Sequence, residues 1–149
     1  MNEKIKNIEK SLSIKIRNKS LLIEALTHKS ANREFNNEKL EFLGDRVIGL
    51  ILSKKLIDLY PNKDEGILDK RFAKLVNRKT CANIARNNGI KSAIIMAKSN
   101  DKIVQRDEKI LSDTCEALIG AIYIDQGFNY VENFILKIWK RRIDKSSVT

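Results

Sequence analysis

The apolar positions of this chain fall into runs with helical spacing, which place helices near residues 2 to 11, 20 to 28, 37 to 60, 65 to 77, 80 to 88, 107 to 125 and 129 to 144. Proline occurs once, at Pro61, and glycine six times, so long helices are permitted nearly everywhere and the punctuation of strands and turns is scarce. An all-α domain of about seven helices is expected. Ser20 ahead of Leu21, Leu22 and Leu26 predicts an N-cap, Pro61 should stop the long helix after Tyr60, and Gly89 behind Asn87 and Asn88 predicts a C-terminal cap. Residues 97 to 106 show no clear period and read as a loop.

The segment from Asn37 to Asp45 does not fit a plain core helix. At about 100° per residue, Glu38, Glu41 and Asp45 fall within an arc of about 60° and share one face. Leu40, Leu43, Val47, Leu50 and Ile51 gather on the opposite face, while Ile48 and Leu52 lie close beside the acids, so the helix is apolar almost all round. Such a helix is expected to be central and buried, and buried carboxylates are costly unless paired, protonated or bound to a cation. A second segment repeats the arrangement: Asp113 and Glu116, three residues apart, share a face amid Cys115, Ala117, Leu118 and Ile119. Two helices presenting acids to each other would suit Mg²⁺ or Mn²⁺, hard cations that prefer carboxylate and water oxygens. Glu65, soon after Pro61, is a further candidate acid. For Glu38 a first-turn role beside the helix dipole stands equally open, and Asp113 is alternatively a first-turn acid or a partner of Arg106. A di-iron carboxylate bundle is set aside because it needs Glu-x-x-His motifs, and His28, the single histidine, is not in one.

Length and composition narrow the class. At 149 residues the chain suits one domain with a substantial core, and no apolar run approaches the ~20 residues of a membrane helix. The charged N-terminus carries no apolar stretch of a secretory leader, which predicts a cytoplasmic protein, with Cys81 and Cys115 as small buried hydrophobes rather than a disulfide. One histidine and two cysteines make no zinc constellation. A formal charge of +10, from 29 basic and 19 acidic residues, favours a polyanion such as nucleic acid, with a lysine-rich solvated surface as the alternative. Lys70, Arg71, Lys74 and Arg78 recur at helical spacing, as do Lys137, Lys140 and Arg141; each group either tracks a phosphate backbone or is a solvated face.

These segments together resemble the catalytic domain of ribonuclease III, an endonuclease of double-stranded RNA. Asn37 to Asp45 resembles the family's signature stretch and Asp113 to Asp125 its second acidic helix. Ala25 to Ala31, Asp64 to Gly66 and Leu75 to Thr80 are similar to further family motifs in the same order. The resemblance runs from about residue 7 to about residue 144, so residues 1–144 are taken as the catalytic domain and 145–149 as a tail or truncated linker. It implies that Glu41, Asp45, Asp113 and Glu116 form the metal cluster, with Asp45 and Glu116 the most essential. It implies that Glu38 and Glu65 line the cleft, and that Phe42 belongs to a homodimer interface. The helical wheel agrees on Phe42, which it throws off the core face.

By the same resemblance the chain is a Mg²⁺-dependent endoribonuclease, with Mn²⁺ able to substitute, acting on ribosomal RNA and other structured precursors and leaving 5′-phosphate and 3′-hydroxyl ends. Two cations about 4 Å apart would clamp the attacking and leaving oxygens. Arg46 departs from the small residue many members carry after the Gly-Asp pair, and its guanidinium could pair with a cleft acid or meet a phosphate. Members commonly continue into a double-stranded-RNA-binding domain, and this sequence ends before one, either as a compact form or as an isolated catalytic domain. The alternative function is a non-catalytic double-stranded-RNA-binding module that keeps the fold, which would be expected to have lost acids that are all present here. A helical DNA-binding protein is disfavoured because no helix-turn-helix spacing is evident.

Overall fold

The computed structural model describes residues 2–97 and 107–147. Its α-helices are α1 (Asn2–Leu12), α2 (Lys19–Leu26), α3 (Glu38–Leu59), α4 (Glu65–Val76), α5 (Arg78–Asn87), α6 (Glu108–Gln126), α7 (Phe128–Ile138) and α8 (Lys140–Asp144), with a 3₁₀ turn at Lys91–Ala93. The all-α expectation holds among the described residues, where extended pairing is confined to one isolated parallel bridge between Thr27 and Ile95. The loop expected over residues 97 to 106 lies, apart from Ala97, outside the described residues.

Local chemistry accounts for most boundaries. The N-cap of α2 is Asn18 rather than Ser20, because the amide oxygen of Asn18 accepts from the Ser20 backbone N–H and satisfies a first-turn donor. Asp64, Asn77 and Asp107 cap α4, α5 and α6 in the same way. Helix α3 ends at Leu59, ahead of Pro61, and Gly89 follows α5 with φ of 72°, a left-handed conformation that glycine adopts without steric cost. The helix expected over 129 to 144 divides at Trp139 into α7 and α8. That indole is fully buried and donates from Nε1 to the Leu75 carbonyl at 2.8 Å, tying the C-terminal helices to the end of α4. Past Asp144, Ser146 is buried, bonds the Tyr60 hydroxyl at 2.6 Å and donates to the Ile143 carbonyl.

The most enclosed helix is α6, packed by α2, α3, α5 and α7, with an unbroken buried run from Ala117 to Ile122 and with Lys109 and Ile124 exposed. The signature helix α3 is central but only half enclosed. It buries Leu40, Gly44, Val47, Ile48, Ile51, Leu52 and Leu56, so its buried face is turned toward the acidic row by roughly 80° relative to the expected one. Leu50, placed by its spacing in the core, is instead 61% exposed, and Phe42 and Ile57 are 60% and 55% exposed beside it. Cys81 and Cys115 are free thiols buried in the core, and burial pushes the Cys81 thiol up to about 12. No described helix is long and apolar enough to cross a membrane.

Candidate functional site

The site begins with two glycines. Where α3 crosses α6, a Cβ added at Gly44 would lie 1.7 Å from the Glu116 carbonyl oxygen, and one added at Gly120 would lie 2.2 Å from that of Leu40. The helices therefore touch backbone to backbone, closer than any pair of side-chain-bearing residues allows. Glu41 and Asp45 flank Gly44 on one helix, and Asp113 and Glu116 precede Gly120 on the other. Intimate contact at the crossing brings these four carboxylates into one electrostatic neighbourhood.

Burial and the neighbouring charges both act on the acidities of Glu116 and Glu41. Glu116 is half-buried, and burial, followed by the charges of Asp45, Glu41 and Asp113, pushes its carboxyl up to about 8; Ser112 Oγ, 3.4 Å away, offsets this only slightly. Burial raises Glu41 as well, then Asp113, with Lys109 opposing. Asp113 is sheltered but not bare: Lys109, one turn earlier in α6, places Nζ 2.5 Å from its Oδ2. Arg106, the alternative partner, lies outside the described residues. Asp45 projects outward with its side chain 61% exposed, and Arg46 Nη1 lies 3.6 Å from Oδ2. The Arg46 guanidinium lies 3.7 Å from the centre of the Phe42 ring and donates to the Phe42 carbonyl, so it ties an exposed aromatic to the acidic edge.

A cleft of about 290 Å³ opens beside Glu38, Glu41 and Asp113, with His28 and Lys109 also in its wall, while Asp45 and Glu116 do not line it. Glu38 stands in the first turn of α3 behind Asn37, whose side chain makes no capping bond, so the helix-dipole and cleft roles coincide at this residue. Burial and the neighbouring Lys29 ammonium lower the His28 imidazole below its usual range. A second groove of about 660 Å³, sharing His28, Lys29 and Glu38, extends past Ser30 to Arg33. Glu65 is elsewhere: in the first turn of α4 it lines a separate groove with Ser53, Leu56, Ile57, Leu68, Asp69 and Phe72, so the fold does not bring it to the other acids. Arg71 likewise leaves the expected basic face, being buried over the Tyr60 ring at 4.2 Å, whereas Lys70, Lys74 and Arg78 are exposed.

Among the described residues no three histidine, cysteine or carboxylate side chains are already gathered at metal-ligand spacing. Like charges in a half-buried crossing separate, and here two of the acids turn to the nearest cations, Lys109 and Arg46. The donor chemistry nonetheless fits a hard divalent ion: all four groups are oxygen donors, and burial, with the like charges of Asp45, Glu41 and Asp113, holds Glu116 out of its normal ionisation. The sequence reading missed the glycine crossing, although the signal was present as a glycine in the middle of each acidic helix, and it missed Lys109.

Comparison with known proteins places this geometry. The chain matches the profile of a family described as Ribonuclease-III-like over residues 18–142. It belongs to the ribonuclease-III-like family. Ribonuclease 3 of Pelagibacter ubique is 48% identical over 142 residues, covering 95% of this chain and 64% of that protein. Ribonuclease 3 of Rhodopseudomonas palustris is 42% identical over 146 residues, covering 93% and 53%. The chain thus spans about half to two thirds of the length of these curated relatives. A solved nuclease domain of Campylobacter jejuni ribonuclease III, described for flexibility in a region involved in dimer formation, superposes with a TM-score of 0.89 at 38% identity, covering 93% of this chain and 97% of that one. Dicer from Pichia stipitis shares the fold, with a TM-score of 0.70 at 22% identity over 91% of this chain and 60% of its own.

Proposed function

We propose that this chain is a divalent-metal-dependent endoribonuclease that hydrolyses phosphodiester bonds of double-stranded RNA to 5′-phosphate and 3′-hydroxyl ends. The observation that carries the reading is the glycine crossing, which sets Glu41 and Asp45 against Asp113 and Glu116 and leaves Glu116 with its carboxyl raised to about 8. Mg²⁺, or Mn²⁺ in its place, would supply a water made nucleophilic at neutral pH and compensate charge developing on the phosphate and the leaving oxygen. The four carboxylates would hold it, with Asp45 and Glu116 the indispensable pair. Glu38 orders the cleft wall, and the exposed Lys29 and Arg33 along the adjoining groove offer phosphate contacts that are blind to base sequence.

The protein acts as a homodimer, one site for each strand. Phe42, Leu50 and Ile57 support this, since they form an exposed apolar stripe on one face of α3 that a two-fold partner would cover. The setting that follows is cytoplasmic processing of structured precursors, ribosomal RNA among them. A non-catalytic binding module of the same fold is the alternative, and retention of every acid argues against it. Incubating the purified chain with long double-stranded RNA in Mg²⁺ and in EDTA decides between them: the enzyme shortens the RNA only with Mg²⁺, whereas a module binds it and leaves it intact under both conditions.

A further inference from the structure

Three i, i+4 lysine–aspartate pairs lie on the helices. In Lys54–Asp58 and Lys140–Asp144 every partner is more than half exposed, as expected of solvated surface pairs. Lys109–Asp113 differs. The Lys109 side chain is 59% exposed, but that of the aspartate it holds is only 24% exposed and lines the acidic cleft. The bond to Asp113, and after it the charge of Glu41, raises the pKa of Lys109 above the ordinary lysine value, which keeps the ammonium charged. A compact positive charge on a flexible stem is thus seated where the acids meet.

We propose that Lys109 is a resident counter-ion of the acid cluster: it holds Asp113 while no divalent cation is bound and competes with that cation for the carboxylate. The proposal rests on the reading of Asp113 as a metal ligand. A divalent ion approaching Asp113 meets both the ammonium on Oδ2 and its charge repulsion, so Lys109 sets the metal concentration at which the site fills. Because the lysine side chain is mostly exposed, it can swing aside at small cost, so entry of the metal needs no rearrangement of α6. Lys109 is therefore a positioning residue, one that tunes the cluster without being a ligand of it.

The test is Mn²⁺ binding to the whole chain without RNA, followed by the loss of the free-Mn²⁺ electron paramagnetic resonance signal. Lys109→Met removes the competing charge and should tighten binding roughly 5- to 20-fold at low salt, an effect that shrinks as salt rises. Lys109→Arg keeps the charge and should stay within about twofold of the unsubstituted protein. Lys54→Met, which breaks a comparable pair away from the cleft, controls for net charge and should change nothing. Weak binding by Asp113→Asn together with unchanged or weaker binding by Lys109→Met would overturn the counter-ion role while leaving the metal site standing. Asp113→Asn binding Mn²⁺ as well as the unsubstituted protein would remove the metal from Asp113, and both readings with it.

Discussion

Replacing Gly44 by alanine sets two effects of opposite sign against each other. Alanine is favoured over glycine in a helix interior by about 1 kcal/mol, so on propensity alone the variant should be the more stable. The crossing opposes this. The new Cβ would lie 1.7 Å from the Glu116 carbonyl oxygen, 2.6 Å from its carbon and 3.0 Å from the Gly120 nitrogen, where ordinary contact begins at 3.4 Å. All three are backbone atoms, so no rotamer change relieves the overlap, and the helices must separate by roughly 1.7 Å. Overpacking of a tight core costs about 1–3 kcal/mol, and separation also loosens the buried Leu40 beside Gly120, a packing loss of about 2 kcal/mol more. We expect a net loss of about 2–4 kcal/mol, which for a domain of this size lowers Tm by about 5–12 °C. Mn²⁺ affinity should fall further than stability alone dictates, because the separation moves Glu41 and Asp45 away from Asp113 and Glu116. Gly49→Ala is the matched control: on the same helix its Cβ meets only Phe72 Cζ at 3.7 Å, so it should be neutral or stabilising by up to about 1 kcal/mol. Thermal unfolding by circular dichroism and Mn²⁺ titration measure both quantities. A Gly44→Ala protein that melts as high as the unsubstituted chain and binds Mn²⁺ as tightly would refute the backbone crossing as the device that assembles the site.

Glu116→Gln should stabilise the metal-free protein in a pH-dependent manner. The folded carboxyl ionises near 8 and the unfolded one near the ordinary 4.5, so stability is fully present below about 4.5 and is lost as pH rises toward and through 8. The full shift sets a ceiling of about 5 kcal/mol, which solvent around a half-buried group reduces to about 1–2 kcal/mol, or about 3–6 °C. In EDTA the variant should therefore match the unsubstituted chain at pH 5 and melt higher at pH 9; an equal difference at both pH values contradicts the assigned ionisation, while RNA cleavage in Mg²⁺ should be abolished. Phe42→Ala should change protomer stability by less than about 0.5 kcal/mol yet weaken self-association at least tenfold in sedimentation velocity, and unaltered association would take Phe42 out of the interface. Trp139→Phe leaves the Leu75 carbonyl without its 2.8 Å donor and opens space in the core, costing about 2–3 kcal/mol in urea unfolding; a loss under about 0.5 kcal/mol would mean the indole does not tie α8 to α4.

Helix content and most helix positions follow from the sequence because they depend on local spacing: apolar residues three and four apart, the stop at Pro61, and Gly89 past the end of α5. The acidic rows follow for the same reason, since residues on one helix keep their angular relation whatever packs against it. Which side of α3 is buried does not follow, because a helix apolar almost all round offers several faces of similar hydrophobicity. Only packing against α6 selected the side that buries Ile48 and Leu52 and leaves Leu50 in solvent. The same limit governs the site. Glu65 lies in a separate groove, Lys109 meets Asp113, and α7 breaks from α8 at an indole whose partner is 64 residues away. Above all, the approach of Gly44 to Glu116 joins positions more than seventy residues apart. A local pattern carries no information on which glycine meets which carbonyl; close packing of the whole chain decides it, and that contact sets how near the four acids come.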